Sequence, residues 1–258
     1  MIRVCLAGAT GWIGKPLSEA ILASGDLELA VAVARKSAGG TIGGSLSIPV
    51  VASIEEALRV PFDVAVEYAG AEGAKARVLS AIEAGRHAVV GSSGLGDEDY
   101  AEVAAAARRR GVGVVAVGNF AISAALLRRF AVEAAKHLTA WEVIDTAHDS
   151  KADAPSGTAR EVAWHLAQAA KPRLAVPVED TMGVPETRGA VVGGTRVHSI
   201  RLPGYTIGVE VLFGSESERL SIKYEGGESA GPYLAGTLLA IRRVPEVRGL
   251  VRSLDDFL

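Results

Sequence analysis

The chain has 258 residues, of which 49% are hydrophobic and 30 are glycine, with a formal net charge of −3, enough length for one large domain or two small ones. Its charges are dispersed and no apolar run is long enough to span a bilayer, which excludes the footprint of a nucleic-acid-binding or membrane-bound protein. The single cysteine, Cys5, excludes an intrachain disulfide, and with no secretory leader read at the N-terminus the expectation is a cytoplasmic protein.

Ile2 to Ala7 reads as a short apolar strand, followed at once by Gly8-Ala9-Thr10-Gly11-Trp12-Ile13-Gly14 and a helix from about Lys15 to Ala23. Strand, glycine-rich turn and helix stand in the order of a dinucleotide-binding fold. Glycines let the backbone approach a pyrophosphate, and the free N–H groups of a helix start hydrogen-bond it. Gly8, Ala9, Thr10, Gly11, Trp12 and Ile13 are therefore candidate cofactor-binding positions. The G-x-x-G-x-x-G spacing is a variant of the usual fingerprint, and the bland alternative is a plain tight turn.

A second strand, Leu27 to Ala34, ends at Arg35-Lys36-Ser37. An acidic residue there would accept hydrogen bonds from the ribose hydroxyls of NAD; two cations and a hydroxyl suit the extra phosphate of NADP instead. Arg35 and Lys36 thus favour NADPH, with NADH possible. Further strands are expected at Asp63–Tyr68, His87–Gly91 and Gly113–Val117, separated by helices at about Ala71–Ala84 and Asp97–Arg110. Arg108-Arg109-Arg110 closes the latter before Gly111, as a solvated last turn complementing the helix dipole. Strands alternating with helices argue for a parallel sheet covered on both faces. Ligands of such sheets collect at the carboxyl ends of strands, so Gly91, Ser92, Ser93, Gly118, Asn119 and Phe120 are expected to line the cofactor cleft.

After Asn119 the pattern changes. A helix from about Ser123 to His137 leads into a strand, Ala140–Thr146, then a dense polar stretch, then a helix from Thr158 to Ala170. Pro172–Pro185 reads as a connection. Thr195–Leu202, Ile207–Phe213 and Glu218–Tyr224 read as three strands joined by Pro203-Gly204 and Gly214-Ser215 turns, hence an antiparallel or mixed sheet in a separate α+β domain. The last helix, about Gly231–Arg242, is expected to pack back on the first half.

The polar stretch runs Asp145-Thr-Ala147-His148-Asp-Ser-Lys151-Ala-Asp153-Ala-Pro-Ser156-Gly157-Thr158-Ala159. A helix N-terminus with hydroxyls and a nearby ammonium is a natural carboxylate receptor. Lys151, Ser156, Gly157 and Thr158 are the candidate substrate contacts; the alternative is an ordinary capped helix after a polar loop.

These residues resemble the signature E-x-H-H-x-x-K-x-D-A-P-S-G-T-A of the dihydrodipicolinate reductase family. Gly8–Gly14, Gly91-Ser-Ser-Gly94, Gly118-Asn-Phe-Ala-Ile122 and His198-Ser-Ile-Arg201 also look like the family, over nearly the whole chain. The resemblance implies an α/β fold: a Rossmann-like parallel-sheet domain over 1–121 completed by 231–258, and an α+β substrate-binding and oligomerisation domain over 122–230, commonly assembled as a homotetramer. It implies NAD(P)H-dependent reduction of a cyclic imine dicarboxylate in lysine and diaminopimelate biosynthesis. Carried over by position, Lys151 is the cationic acid or carboxylate anchor, His148 a substrate contact and candidate catalytic residue, and Gly157 and Thr158 carboxylate donors. The chain departs where the first histidine of the pair, the family's proton donor, is Ala147. It departs again at Thr206-Ile207-Gly208-Val209, where a histidine often precedes the inner strand, and at Gly226-Gly227-Glu228-Ser229, where an arginine often follows the last one. Alternatives are a related reductase of a different imine, enamine or carbonyl compound, and a non-catalytic NADP-binding protein.

Overall fold

The computed structural model describes residues 1–92 and 94–258; Ser93, one of the candidate cofactor positions, lies outside them. The chain begins with β1 (Ile2–Ala7), α1 (Gly14–Leu22), β2 (Leu27–Val33), β3 (Thr41–Ile42), β4 (Ile48–Val51), α2 (Ile54–Ala57), β5 (Val64–Glu67), α3 (Ala74–Glu83), β6 (His87–Val90), α4 (Asp97–Arg110) and β7 (Gly113–Ala116). It continues with α5 (Ile122–Ala135), β8 (Ala140–Ala147), α6 (Gly157–Ala169), β9 (Ala190–Val192), β10 (Thr195–Arg201), β11 (Gly208–Gly214) and β12 (Arg219–Glu225), and closes with α7 (Gly231–Arg243) and β13 (Gly249–Val251). Two compact units result: Met1–Phe120 with Ala230–Leu258, and Ala121–Ser229.

The first unit holds an eight-stranded sheet in the order β13-β7-β6-β5-β1-β2-β4-β3. All its pairings are parallel except the short β3–β4 hairpin. Val4, Cys5 and Leu6 are all fully buried; because successive side chains point to opposite faces, both faces of β1 are covered, as a parallel sheet requires. Cys5 and Ala7 pack with Val31, Val33, Ile54 and Phe62, while α3 and α4 close over β6 and β7 through Val78, Ile82, Val103 and Val114. Strand order reverses at β1, which lies between β2 and β5. That switch point is where a ligand crevice forms in such sheets.

The second unit is a mixed sheet, β12-β11-β8-β10-β9, with α5 and α6 on one face. Trp141, Val143, Val197, Val209, Val211 and Phe213 point to the helices and meet Leu127, Ala131, Val162 and Leu166. The expected adjacency of the strands at 195–202 and 207–213 is corrected here. β8 lies between them, parallel to β10 and antiparallel to β11. A proline-glycine turn fixes local chain reversal only, and does not decide which strand lies between the two. The sequence reading also passed over β3, β4, α2, β9 and β13, which are two to four residues long, too short for a period to register.

Candidate active site

In the first unit the glycines behave as the turn demands. Gly8 has φ +84, and a Cβ there would lie 2.3 Å from the Tyr68 carbonyl oxygen. A Cβ on Gly14 would lie 1.9 Å from the Gly8 oxygen. The turn closes with the Gly11 amide donating to Gly8 O at 2.9 Å. Helix α1 begins without a side-chain cap, its Lys15 and Leu17 amides donate to Gly11 O and Ile13 O, and Pro16 carries no amide proton, so within its first turn the Gly14 amide is the donor left to an anion. Thr10, Gly11 and Trp12 are exposed; Ala9 is buried and offers backbone only. The Trp12 ring stands edge-on to Tyr233 of α7 at 5.9 Å. Arg35 and Lys36 form a 3₁₀ turn directly after β2, both exposed and free of ion pairs among the described residues. These residues fit a dinucleotide: a backbone cradle no side chain could share, and two uncommitted cations beyond the second strand.

At the carboxyl end of β5, Glu67 is 3% exposed and is held by Arg77, Nε to Oε2 at 2.8 Å and Nη2 to Oε1 at 2.9 Å. Arg77 Nη2 and Nη1 also donate to the Gly70 and Glu72 carbonyls. The loop after β5 is thereby tied down from α3. Ser92 belongs to the same network: its hydroxyl donates to Glu67 Oε1 at 2.9 Å and accepts from the Gly70 amide, so its proton is already committed. The Tyr68 ring covers Gly91, where a Cβ would approach it to 2.1 Å, and its hydroxyl meets Thr237 Oγ1 of α7 at 2.8 Å. Burial pushes that phenol above its ordinary range. Phe120 is 2% exposed and packs on Tyr68, so its contribution to a cleft is its backbone; Gly118 is exposed and Asn119 half-buried.

In the second unit, β8 alternates strictly: Trp141, Val143, Asp145 and Ala147 are buried toward the helices, and Glu142, Ile144 and Thr146 face the other side. Ala147 is 1% exposed. His148 is exposed, its Nδ1 2.8 Å from Ser150 Oγ and 2.9 Å from Asp149 Oδ1. The Lys151 amide closes a turn onto the His148 carbonyl, and its ammonium lies 2.6 Å from Asp153 Oδ1. Partial burial works against the charge of Asp153, but the hydrogen bond and attraction of Lys151, with Arg160 behind them, hold its carboxyl below the usual range. Ala154–Pro155 is cis. Ser156 caps α6, its hydroxyl accepting from the Ala159 amide at 3.2 Å. Over Gly157 no heavy atom stands within 4 Å of where a Cβ would be, leaving the start of α6 open above it. Lys151, Gly157 and the cap therefore sit on one short loop, while His148 turns toward its own neighbours.

Two residues of this loop's support escaped the sequence reading. Asp145 is 0% exposed, and its Oδ2 accepts from the Ser156 amide at 3.0 Å, Ser199 Oγ at 3.0 Å and Arg201 Nη2 at 2.7 Å. Arg201 Nη2 also donates to the Asp153 carbonyl at 2.7 Å. The available signal was periodicity, and it singles out Asp145 only. Asp145 is the one charge at the helix-facing positions of β8, beside Trp141, Val143 and Ala147, and a buried charge calls for a partner. β10 carries Thr195 and Ser199 on the same face as Arg201 and gives no such signal. A half-open cavity of about 410 Å³ lined by Thr146, Tyr205, Thr206, Ile207, Lys223 and Glu225 includes none of the expected site residues.

Comparison with known proteins bears on both units. Residues 2–120 match the family model "Dihydrodipicolinate reductase, N-terminus", and residues 123–258 match "Dihydrodipicolinate reductase, C-terminus". The 4-hydroxy-tetrahydrodipicolinate reductase of Moorella thermoacetica is 35% identical, over all of this chain and 98% of its own. That of Synechococcus elongatus is 36% identical with the same coverage. Among solved structures, the dipicolinate-bound dihydrodipicolinate reductase from Paenisporosarcina sp. TG-14 superposes with a TM-score of 0.83 at 26% identity, covering all of both chains. With both halves matched in order and full-length relatives above 30% identity, this chain belongs to the dihydrodipicolinate reductase family of NAD(P)H-dependent oxidoreductases.

Proposed function

We propose that this protein reduces a cyclic imine bearing carboxylate with NADPH, as a variant of the family reaction in which Lys151 anchors a carboxylate and proton delivery has moved off position 147. The observation that carries this reading is the loop Lys151–Thr158: an ammonium, a capped helix start and open space over Gly157 on one short segment. An ammonium and the positive end of a helix together favour an anion. Gly157 supplies its backbone donor to it, Thr158, 4% exposed, packs the same turn from its buried side, and Ser156 fixes where the helix begins.

A dinucleotide held by its pyrophosphate at the glycine turn would supply the hydride. Gly8, Gly11 and Gly14 admit the pyrophosphate, and Arg35 and Lys36 meet the ribose phosphate that distinguishes NADPH. The proton comes from the protein side. Ala147 has no proton to give, so His148, the one imidazole on the loop, takes that role; its exposure lets solvent recharge it after each turnover. A homo-oligomer built through the sheet of the second unit completes the reading.

One set of observations favours a second substrate. Ala147 is buried, Val209 stands beside Asp145 in the sheet, and Glu228 follows β12. The first histidine of the family's pair, the histidine that often precedes the inner strand and the arginine that often follows the last strand of this sheet are therefore absent together. A substrate with a single carboxylate needs fewer cations. The deciding experiment measures NADPH oxidation against the product of dihydrodipicolinate synthase and a panel of mono- and dicarboxylic cyclic imines. Turnover of the dicarboxylate, lowered in His148→Gln, supports the first reading; turnover of monocarboxylates alone supports the second. Equal use of NADPH and NADH before and after Arg35→Ala would remove the cofactor assignment.

A further inference from the structure

A fully buried carboxylate needs partners, and those of Asp145 say what it is for. β8 and β10 are already tied by their ladder, in which Ser199 pairs with Asp145 and Arg201 with Ala147. An ion pair between the same strands adds nothing to that register. What Asp145 and Arg201 do add lies outside the sheet. Asp145 Oδ2 takes the amide of Ser156, the residue that caps α6, and Arg201 Nη2 takes the carbonyl of Asp153. Both ends of the run 153–156 are thereby fixed to two strands. Asp153 in turn holds the Lys151 ammonium at 2.6 Å. The arginine is 15% exposed at its side chain and the aspartate 0%, so water does not screen the contact.

We propose that Asp145 and Arg201 are positioning residues for the carboxylate receptor: a buried latch that sets where Lys151 and the first turn of α6 stand relative to each other. The inference rests on the receptor reading given above. Neither residue touches the ligand. Their effect passes through the Ser156 amide and the Asp153 carbonyl, so it falls on substrate binding and leaves the nucleotide site of the other unit alone.

The test uses the full-length enzyme. Removing Arg201 by itself strands a buried charge and risks the fold, so the main variant is the double Asp145→Asn/Arg201→Met, with Arg201→Lys as the conservative partner. A lysine ammonium can reach the two acceptors that Nη2 now bridges. The expected result for the folded double variant is a KM for the imine raised ~10-fold or more, with kcat within about threefold, the signature of lost binding rather than lost chemistry. Affinity for pyridine-2,6-dicarboxylate, read by calorimetry, should fall in parallel; the Kd for NADPH should not move, and Arg201→Lys should recover most of the loss. If the folded double variant binds the dicarboxylate as the wild type does, the latch is refuted and the receptor stands. If the wild type itself binds neither pyridine-2,6-dicarboxylate nor pyridine-2-carboxylate, the receptor reading fails and this inference fails with it.

Discussion

Lys151 makes one strong contact, with Asp153, and an ammonium has three donors. Two remain for a ligand. A hydrogen bond to a charged group contributes about 1.5–3 kcal/mol, so Lys151→Met should lower kcat/KM by ~10- to 100-fold on a carboxylate substrate, chiefly through KM. The pH dependence has a definite sign. The Asp153 carboxyl lies below its ordinary value because of Lys151 and Arg160; its contribution is therefore complete above the unfolded value of ~3.9 and lost only as pH falls through the lower folded one. Any limb of the rate profile between pH 6 and 8 should survive Asp153→Asn; disappearance of that limb would overturn the assignment. At this scale the sequence was legible where the chemistry is contiguous. Lys151, Ser156 and Gly157 could be read off one segment because a loop and a helix start are local. Asp145 and Arg201 could not be paired across 56 residues from their spacing, since their partnership exists only once β10 lies beside β8.

The glycine turn shows the same division among elements. Strand, turn and helix follow one another in the chain, and β1, α1 and β2 could all be expected from the pattern of apolar residues and glycines. What the pattern withheld was the cause of the glycines, which is the approach of Gly14 to the Gly8 carbonyl and of Gly8 to the end of β5. A Cβ at 1.9 Å from backbone oxygen is not relieved by a rotamer change. Gly14→Ala must therefore move the start of α1, and with it the amides offered to the pyrophosphate. NADPH binding by the folded variant should weaken by ~100-fold or more, about 2.7 kcal/mol, and wild-type affinity in a Gly14→Ala enzyme would show that the turn does not form the cradle. The order of strands in the second unit was withheld for the related reason that pairing is non-local: a hairpin turn between β10 and β11 is consistent with their being neighbours, and β8 lies between them nonetheless.

For the whole molecule two expectations remain, one on stability and one on assembly. His87 Nδ1 accepts the Gly113 amide at 2.9 Å, stapling β6 to β7. Burial, with Arg248 adding to it, pushes the imidazole below its ordinary value against the attraction of Asp63. The unfolded chain then binds that proton more readily than the folded one, so stability from this group is full above ~6.5 and declines as pH falls through the folded value. His87→Asn keeps an acceptor but does not titrate; its melting temperature should vary less between pH 8 and 5 than that of the wild type, and equal slopes would clear His87. Assembly follows from the face of the second sheet that α5 and α6 leave uncovered. On it Ile200 pairs with Thr146 and Leu212 with Glu142, while Val191 stands on the edge strand. Ile200 and Leu212 are 37% and 38% exposed, and Val191 61%. These apolar side chains share the face with Glu142, Arg196, His198 and Glu210, a mixed surface of the kind that interfaces bury, and closed assemblies of identical chains are the common solution. The mass of one chain is 26.6 kDa, and light scattering should return about four times that value, the tetramer the family resemblance implies. Ile200→Glu with Leu212→Glu places like charges at the heart of that contact and should yield monomers that still bind NADPH, because the glycine turn belongs to the other unit. A wild-type mass of a single chain, or a double variant that stays assembled, would move the interface elsewhere.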